Sequence, residues 1–141
     1  SYQQVVIRDI LEGVPVARLM RTNPPTCQPR CTVSNLVYDH VMVTDDHAFP
    51  VLDGGELVGR VSIDDVRKVP RDAWDATTVG EIMTSAVELV VVSPDDDSGE
   101  ALLKLAQRDI RQLPVLDGAE LVGMLRRRDI VKWLQLQSDA T

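Results

Sequence analysis

Residues 50–59 read PVLDGGELVG and residues 114–123 read PVLDGAELVG, so nearly the same segment recurs 64 positions later. Over the longer windows 50–66 and 114–130, ten of 17 positions are identical, and Asp65 in the first window matches Asp129 in the second. Each copy places an Asp-Gly pair between apolar residues, which is typical of a tight β-hairpin turn. The sequence therefore predicts one small unit that is present twice, with a hairpin in each copy.

The two copies also match on either side of the hairpins. VARLM at 16–20 corresponds to VGEIM at 79–83, so each copy begins with a short helix that ends at Met20 or Met83. The other predicted elements are longer helices at 33–43 and 98–108, strands at 49–52, 56–61, 113–116 and 120–125, and closing helices at 63–69 and 127–137. Thr78 with Glu81, and Asp97 with Glu100, have the spacing of helix N-caps. The predicted fold class is α+β.

The domain organisation follows from these copies. We assign 1–14 to a leading amphipathic helix, 15–69 to repeat 1, 70–77 to a linker, 78–137 to repeat 2 and 138–141 to a tail. The leading helix places Val5, Val6 and Ile10 on one face, which we expect to pack on the pair or on a partner.

Composition excludes several classes of function. The 141 residues carry 15 Lys+Arg against 22 Asp+Glu, a net charge of -7, and such a chain as a whole repels nucleic acid. No apolar run approaches the roughly 20 residues of a membrane-spanning helix, so no membrane insertion of this segment is expected. Two cysteines do not make a disulfide framework, which favours a cytoplasmic location.

Each copy closely resembles the cystathionine beta-synthase (CBS) domain. The resemblance rests on the order of its parts: a short helix ending in Met, a longer helix, PVLD, a tight turn, an apolar-Val-Gly step and a final Asp at a helix start. Two copies in tandem resemble a Bateman module, over about residues 15–136. The resemblance implies two repeats (short helix, strand, helix, two strands, helix) packed sheet to sheet with pseudo-two-fold symmetry. It also implies an adenosine-containing regulatory ligand (AMP, ADP, ATP or S-adenosylmethionine) between the repeats, no required cofactor, and a homodimer.

In that family a Ser/Thr-x-x-Asp motif after the last strand holds the ligand ribose, and Ser62 and Asp65 match it here. An ionised carboxylate can accept hydrogen bonds from both ribose hydroxyls. The same two residues also have the spacing of an N-cap that stabilises a helix by about 1 kcal/mol with no ligand. Both interpretations stay open at this point.

Repeat 2 departs from the motif, because it keeps Asp129 but places Arg126 where the hydroxyl belongs. Arg126 can contact a phosphate, or it can pair with Asp129 and close the site. Alternatively, the three arginines form a solvated helix face or bind nucleic acid. By the same resemblance His47 and Arg111, just before the Pro-Val strands, are candidates for phosphate contact. Arg111 is the better candidate because it is charged at any physiological pH, and the alternative for both is a surface role.

The resemblance places the adenine against the loops after Met20 and Met83. The candidates are Thr22, Pro25 and Thr26 in the first loop and Thr84, Ala86 and Val87 in the second. A metal site is not expected, because the spacing of Cys27, Cys31, His40 and His47 fits no common zinc site. Trp74 and Trp133 are expected to be packing residues.

Residues 1–14 resemble the segment that joins the membrane core of prokaryotic site-2 proteases to a C-terminal CBS pair. The chain would then be the cytosolic part of an integral membrane zinc metalloprotease, whose His-Glu-x-x-His motif does not occur here. No nucleophile with a base and no phosphate loop is apparent, so catalysis by this segment is not expected. Two hypotheses remain: a nucleotide sensor that controls a fused or partner effector, and a ligand-free dimerisation scaffold.

Overall fold

The computed structural model describes residues 2–137; Ser1 and the predicted tail 138–141 lie outside the described residues. The helices are α1 (Tyr2–Leu11), α2 (Val16–Leu19), α3 (Val33–Leu36), α4 (Ile63–Arg67), α5 (Val79–Ile82), α6 (Ser98–Arg108) and α7 (Arg127–Gln135). The strands are β1 (Ala48–Asp53), β2 (Glu56–Ser62), β3 (Thr84–Ser85), β4 (Gln112–Asp117) and β5 (Glu120–Arg126). The α+β class and the two repeated hairpins are confirmed. None of the described helices is both long and apolar enough to cross a lipid bilayer.

The chain forms two compact units that do not coincide with the sequence repeats. The central unit comprises Pro24–Leu89, and the terminal unit comprises the described residues before Pro24 together with those from Val90 onward. The short helix α5, which opens repeat 2, therefore lies in the unit that contains the repeat 1 hairpin. The short helix α2 of repeat 1 lies in the unit that contains the repeat 2 hairpin.

The central unit is built on the antiparallel β1–β2 hairpin, closed by the Gly54–Gly55 loop between the paired Asp53 and Glu56. The register shifts between Val51 and Leu52, which is a β-bulge. Strand β3 pairs antiparallel with β2. The buried core consists mainly of branched aliphatic side chains and one aromatic ring, among them Val33, Leu36, Phe49, Val51, Val61 and Val79.

The terminal unit repeats this arrangement with β4 and β5, including the bulge, which here falls between Val115 and Leu116. Its core contains Leu11, Val16, Leu105, Leu113, Leu125 and Ile130. Helix α1 buries Leu11 and half-buries Ile7, while Val5, Val6 and Ile10 are exposed. The Val5–Ile10 face therefore does not pack on the core of this unit, which the Ile7–Leu11 side contacts instead, and packing of the exposed face on a partner stays a prediction.

Backbone hydrogen bonds attach each short helix to its unit in the same way. In the central unit Val79 N–H donates to Cys31 O (2.7 Å) and Val33 N–H donates to Thr77 O (2.9 Å). In the terminal unit Val16 N–H donates to Asp96 O (2.8 Å) and Ser98 N–H donates to Val14 O (2.9 Å). The two units thus use equivalent bonds between segments that are far apart in the chain.

The longer helix of repeat 1 differs from its prediction. The α-helical part ends at Leu36 and is followed by a π-helical turn at Val37–Val41, whereas α6 is a regular helix with the predicted bounds. From helix start to strand start, Val33 to Ala48 spans 15 positions and Ser98 to Gln112 spans 14. A π turn accommodates one extra residue, which explains the break in the helix.

Candidate functional site

The end of β2 brings Ser62 and Asp65 together as predicted. Ser62 Oγ accepts a hydrogen bond from Asp65 N–H (3.2 Å), and Asp65 Oδ2 accepts from Ser62 N–H (2.8 Å) and Ser62 Oγ–H (3.0 Å). This reciprocal capping box begins α4, which explains why β2 passes directly into a helix. Both bonds to the carboxylate end on Oδ2, and within residues 2–137 Oδ1 makes no hydrogen bond.

The equivalent end of β5 has a different geometry. Arg126 Nε donates to Asp129 Oδ2 (2.8 Å), and Arg126 Nη2 donates to Asp129 Oδ1 (2.9 Å). The guanidinium therefore engages both carboxylate oxygens in a bidentate ion pair. The two side chains are only 19% and 13% exposed.

The three consecutive arginines have different surroundings. Arg127 Nη2 donates to the carbonyls of Leu105 (3.3 Å) and Ile110 (3.2 Å), at the end of α6. Arg128 is exposed. The three side chains therefore do not form one uniform basic face.

His47 and Arg111 occupy matching places beside these strand ends. The carbonyl of His47 accepts from Ile63 N–H (2.9 Å), and that of Arg111 accepts from Arg127 N–H (2.8 Å). Both residues are exposed. Each unit therefore holds its candidate phosphate residue next to the start of the helix that carries its aspartate.

The candidate adenine residues lie elsewhere in the two units. Thr22 is exposed, and Val87, on the turn that follows β3, is 92% exposed. Thr26 is half-buried, and its carbonyl oxygen lies 2.7 Å from His40 Nε2. Thr26 precedes Cys27, whose N–H donates to Pro50 O (3.1 Å) beside β1.

An open groove of about 400 Å³ in the central unit was not anticipated from the sequence. It is lined by Thr26, Cys27, Gln28, Arg30, Cys31, Asn35, Asp39 and His40. Two of these residues, Asp39 and His40, lie on the π turn. The only sequence feature that pointed to this groove was the extra residue that repeat 1 has between the start of its longer helix and its hairpin. Burial, with a smaller effect of Cys31, raises the pKa of Cys27 to about 12. Burial, followed by the Asp39 charge, also raises the pKa of Cys31.

The thiols of this groove are oriented toward carbonyl oxygens. Cys27 Sγ–H donates to Pro50 O (3.9 Å) and Cys31 Sγ–H to Thr32 O (3.5 Å). Across residues 2–137, no group of three or more His, Cys, Asp or Glu side chains is placed to hold a metal ion. The raised thiol pKa values also disfavour the thiolate form that metals bind.

Chemically, the end of β2 offers one carboxylate oxygen free to accept hydrogen bonds, together with an exposed imidazole at His47. Such a carboxylate oxygen can accept charge-assisted hydrogen bonds from ligand hydroxyl groups. The end of β5 offers an internally neutralised ion pair instead.

Comparison with known proteins places these features in a family. The sequence profile of the CBS domain matches residues 16–72 and 79–136. The CBS domain-containing protein YhcV of Bacillus subtilis is 30% identical over 116 residues, which cover 79% of each chain. A zinc metalloprotease of Methanocaldococcus jannaschii is 26% identical over 132 residues, which are 94% of this chain and 35% of the relative. This chain thus spans about a third of that protease.

A solved structure shows the same architecture. The crystal structure of CBSX2 in complex with AMP is similar to this chain with a TM-score of 0.77 and 26% identity. The similarity covers 89% of this chain and 100% of that one.

Proposed function

Because this chain belongs to the CBS domain family, we propose that it is a non-catalytic regulatory module whose ligand is an adenosine-containing nucleotide. The ligand is AMP, ADP, ATP or S-adenosylmethionine, and its ribose binds at the Ser62–Asp65 end of β2. Support comes from a similar CBS structure that was solved with AMP. The module then transmits occupancy to a fused or partner effector, which requires a different ligand affinity in two states of the module.

The observation that carries the proposal is the Asp65 carboxylate. Its Oδ2 is already oriented by two bonds from Ser62, so the direction of Oδ1 is set before any ligand arrives. Such preorganisation lowers the entropic cost of binding a ribose diol. His47, held beside this strand end through its carbonyl, supplies a donor for the phosphate, and Thr26 and Val87 are proposed contacts of the adenine.

The test is isothermal titration of AMP, ADP, ATP and S-adenosylmethionine into wild type and Asp65→Asn. The variant keeps the size of the side chain but loses the charged acceptor, and we expect at least tenfold weaker binding. Glu81→Gln is the matched control, because Glu81 likewise accepts from Thr78 N–H (2.7 Å) and Thr78 Oγ1–H (3.0 Å) at the start of α5. If neither wild type nor control binds any of the four compounds at millimolar concentration, the ligand-free scaffold is the correct function.

The proposed effector is a membrane-embedded zinc metalloprotease that shares one polypeptide with this module on its cytoplasmic side. The similarity to a zinc metalloprotease about three times as long supports this. The reading frame upstream of Ser1 tests it: several apolar spans with a His-Glu-x-x-His motif are expected. A free-standing frame without them would leave a separate partner as the effector.

We further propose that the module is a homodimer. In the central unit Tyr38, Met42 and Val43, which lie within six residues of one another in the chain, are 55%, 69% and 66% exposed, and association would cover such apolar side chains. Sedimentation equilibrium should give twice the mass of 15.6 kDa, and Met42→Glu should shift it toward the monomer. A monomer at millimolar concentration would rule the dimer out.

A further inference from the structure

The two strand ends differ in how their aspartates are occupied. At the end of β2, Ser62 uses only Oδ2 of Asp65. At the end of β5, Arg126 uses both oxygens of Asp129, at 2.8 and 2.9 Å. At Asp129 the guanidinium engages both oxygens and neutralises the carboxylate charge, whereas Oδ1 of Asp65 accepts no hydrogen bond within residues 2–137 and keeps its lone pairs for a ligand hydroxyl.

The ion pair is also poorly hydrated. With side chains only 19% and 13% exposed, both charges are largely removed from water. A ligand that displaced Arg126 from Asp129 would break this largely buried ion pair. Removing one partner of a buried pair is costly, far more than breaking an exposed one.

We infer that Arg126 keeps the repeat 2 position closed by acting as a built-in substitute for the ligand diol, so each chain binds one adenosine nucleotide, at Asp65. This inference rests on the proposed function, because it assumes that an aspartate at this place can bind ribose. Arg126 is in this sense a specificity-determining residue that acts through Asp129.

The competing role for Arg126 is direct contact with a ligand phosphate. The two roles make opposite predictions for Arg126→Ser, which restores the Ser-x-x-Asp spacing of repeat 1. Release of Asp129 creates a binding site, whereas loss of a phosphate contact weakens one. Arg128→Ser is the matched control, because it removes the same charge from an exposed neighbour.

The experiment is titration calorimetry with AMP on the whole chain. Wild type should bind one AMP per chain, Asp65→Asn should bind it at least tenfold more weakly, Arg126→Ser should bind two and Arg128→Ser one. The double variant Asp65→Asn/Arg126→Ser should bind one, at least tenfold more tightly than Asp65→Asn alone. Circular dichroism and a melting curve confirm folding, and Arg126→Gln, which cannot form the bidentate ion pair, serves if Arg126→Ser does not fold.

The outcomes separate this inference from the proposed function. Two sites in wild type, or one site in wild type with none gained in Arg126→Ser and Arg126→Gln, would overturn the closure of repeat 2 by Arg126 but leave the Asp65 site intact. No binding in wild type with one site in Arg126→Ser would refute the Asp65 site and support the closure. Binding that is weakened by Arg126→Ser would identify the arginine as a phosphate ligand and also overturn the closure.

Discussion

Gly59 and Met83 lie so close together that a Cβ atom on Gly59 would come within 2.6 Å of the Met83 sulfur. The equivalent contact in the terminal unit joins Gly123 and Met20, at 2.8 Å. In each unit, the methionine that ends the short helix of one repeat therefore packs on the hairpin glycine of the other repeat. This accounts for the presence of both residue types in both copies, because a side chain at either glycine would push the short helix away.

We predict that Gly59→Ala destabilises the protein by about 1–3 kcal/mol, the usual range for overpacking. The added methyl group would meet both Met83 Sδ and the backbone oxygen of Thr84 at 2.6 Å, and a backbone atom cannot rotate away. Urea unfolding monitored by tryptophan fluorescence measures the loss. Gly80→Ala is the control: its Cβ would lie 3.2 Å from Pro29 O, and the change favours helix α5, so little net effect is expected. Equal losses in both variants would contradict the steric explanation.

The two hairpin loops make a second prediction. Gly54 and Gly55 both have positive φ, 59° and 85°, whereas Ala119, the counterpart of Gly55, is not among the described residues with positive φ. We expect Gly55→Ala to lower the free energy of unfolding by about 1–2 kcal/mol, and Gly55→Asn by clearly less, because asparagine tolerates this conformation. Denaturant midpoints of the two variants decide the matter. The same midpoint for both would show that the loop is free to change its turn type.

Local features of this fold were predictable from the sequence. The hairpins, the Thr78 cap and the bounds of α6 depend on residues within a few positions of one another, and periodicity and spacing report such interactions directly. The placement of each short helix in the unit that contains the other repeat's hairpin was not predictable, because it depends on bonds between residues far apart in the chain. Val79 bonds to Cys31, and Val16 bonds to Asp96. No local pattern shows whether a short helix packs on the hairpin of its own repeat or on the hairpin of the other repeat.

The candidate site shows the same division. The motif identified Asp65 and Asp129 as equivalent, and the resemblance implied the ligand class that we propose, but the state of each carboxylate depends on side-chain rotamers. The sequence left open whether Arg126 pairs with Asp129, and the bidentate contact is visible only in the folded structure. The π turn followed from one extra residue, yet its position within the helix depends on packing.

Glu81 makes stability depend on pH in the acid range. Hydrogen bonds from the backbone N–H and the side chain of Thr78 lower the pKa of Glu81 below its ordinary value of 4.5. As the pH falls, Glu81 therefore takes up a proton in the unfolded state before it does so in the folded state. Its contribution to the free energy of unfolding is present above about pH 4.5 and is lost as the pH drops through the lower pKa of the folded state. Glu81→Gln should be less stable than wild type at pH 7, and the difference should shrink at pH 3, as measured by urea unfolding. Glu88→Gln, on an exposed turn, should show no such convergence; a constant difference for Glu81→Gln would refute the cap.

The two cysteines should react with iodoacetamide at very different rates in the native protein. Burial raises the pKa of Cys27 to about 12, so its reactive thiolate is scarce at pH 8. Burial and the Asp39 charge also raise the pKa of Cys31, but Cys31 is only half-buried whereas Cys27 is buried. Mass spectrometry of peptides should find Cys31 alkylated first and Cys27 protected, with the difference abolished in urea.

Asp39→Asn is the control for this ordering, because it should accelerate Cys31 alone. The raised pKa of Cys27 also makes stability depend on pH in the alkaline range. Between the ordinary pKa of 9.0 and the folded value of about 12, the native state keeps a proton that the unfolded state has lost, so stability falls as the pH rises. Cys27→Ala should reduce that slope by up to about 1.4 kcal/mol per pH unit. An unchanged slope, or preferential native labelling of Cys27, would mean that the thiol is not held protonated against the carbonyl of Pro50.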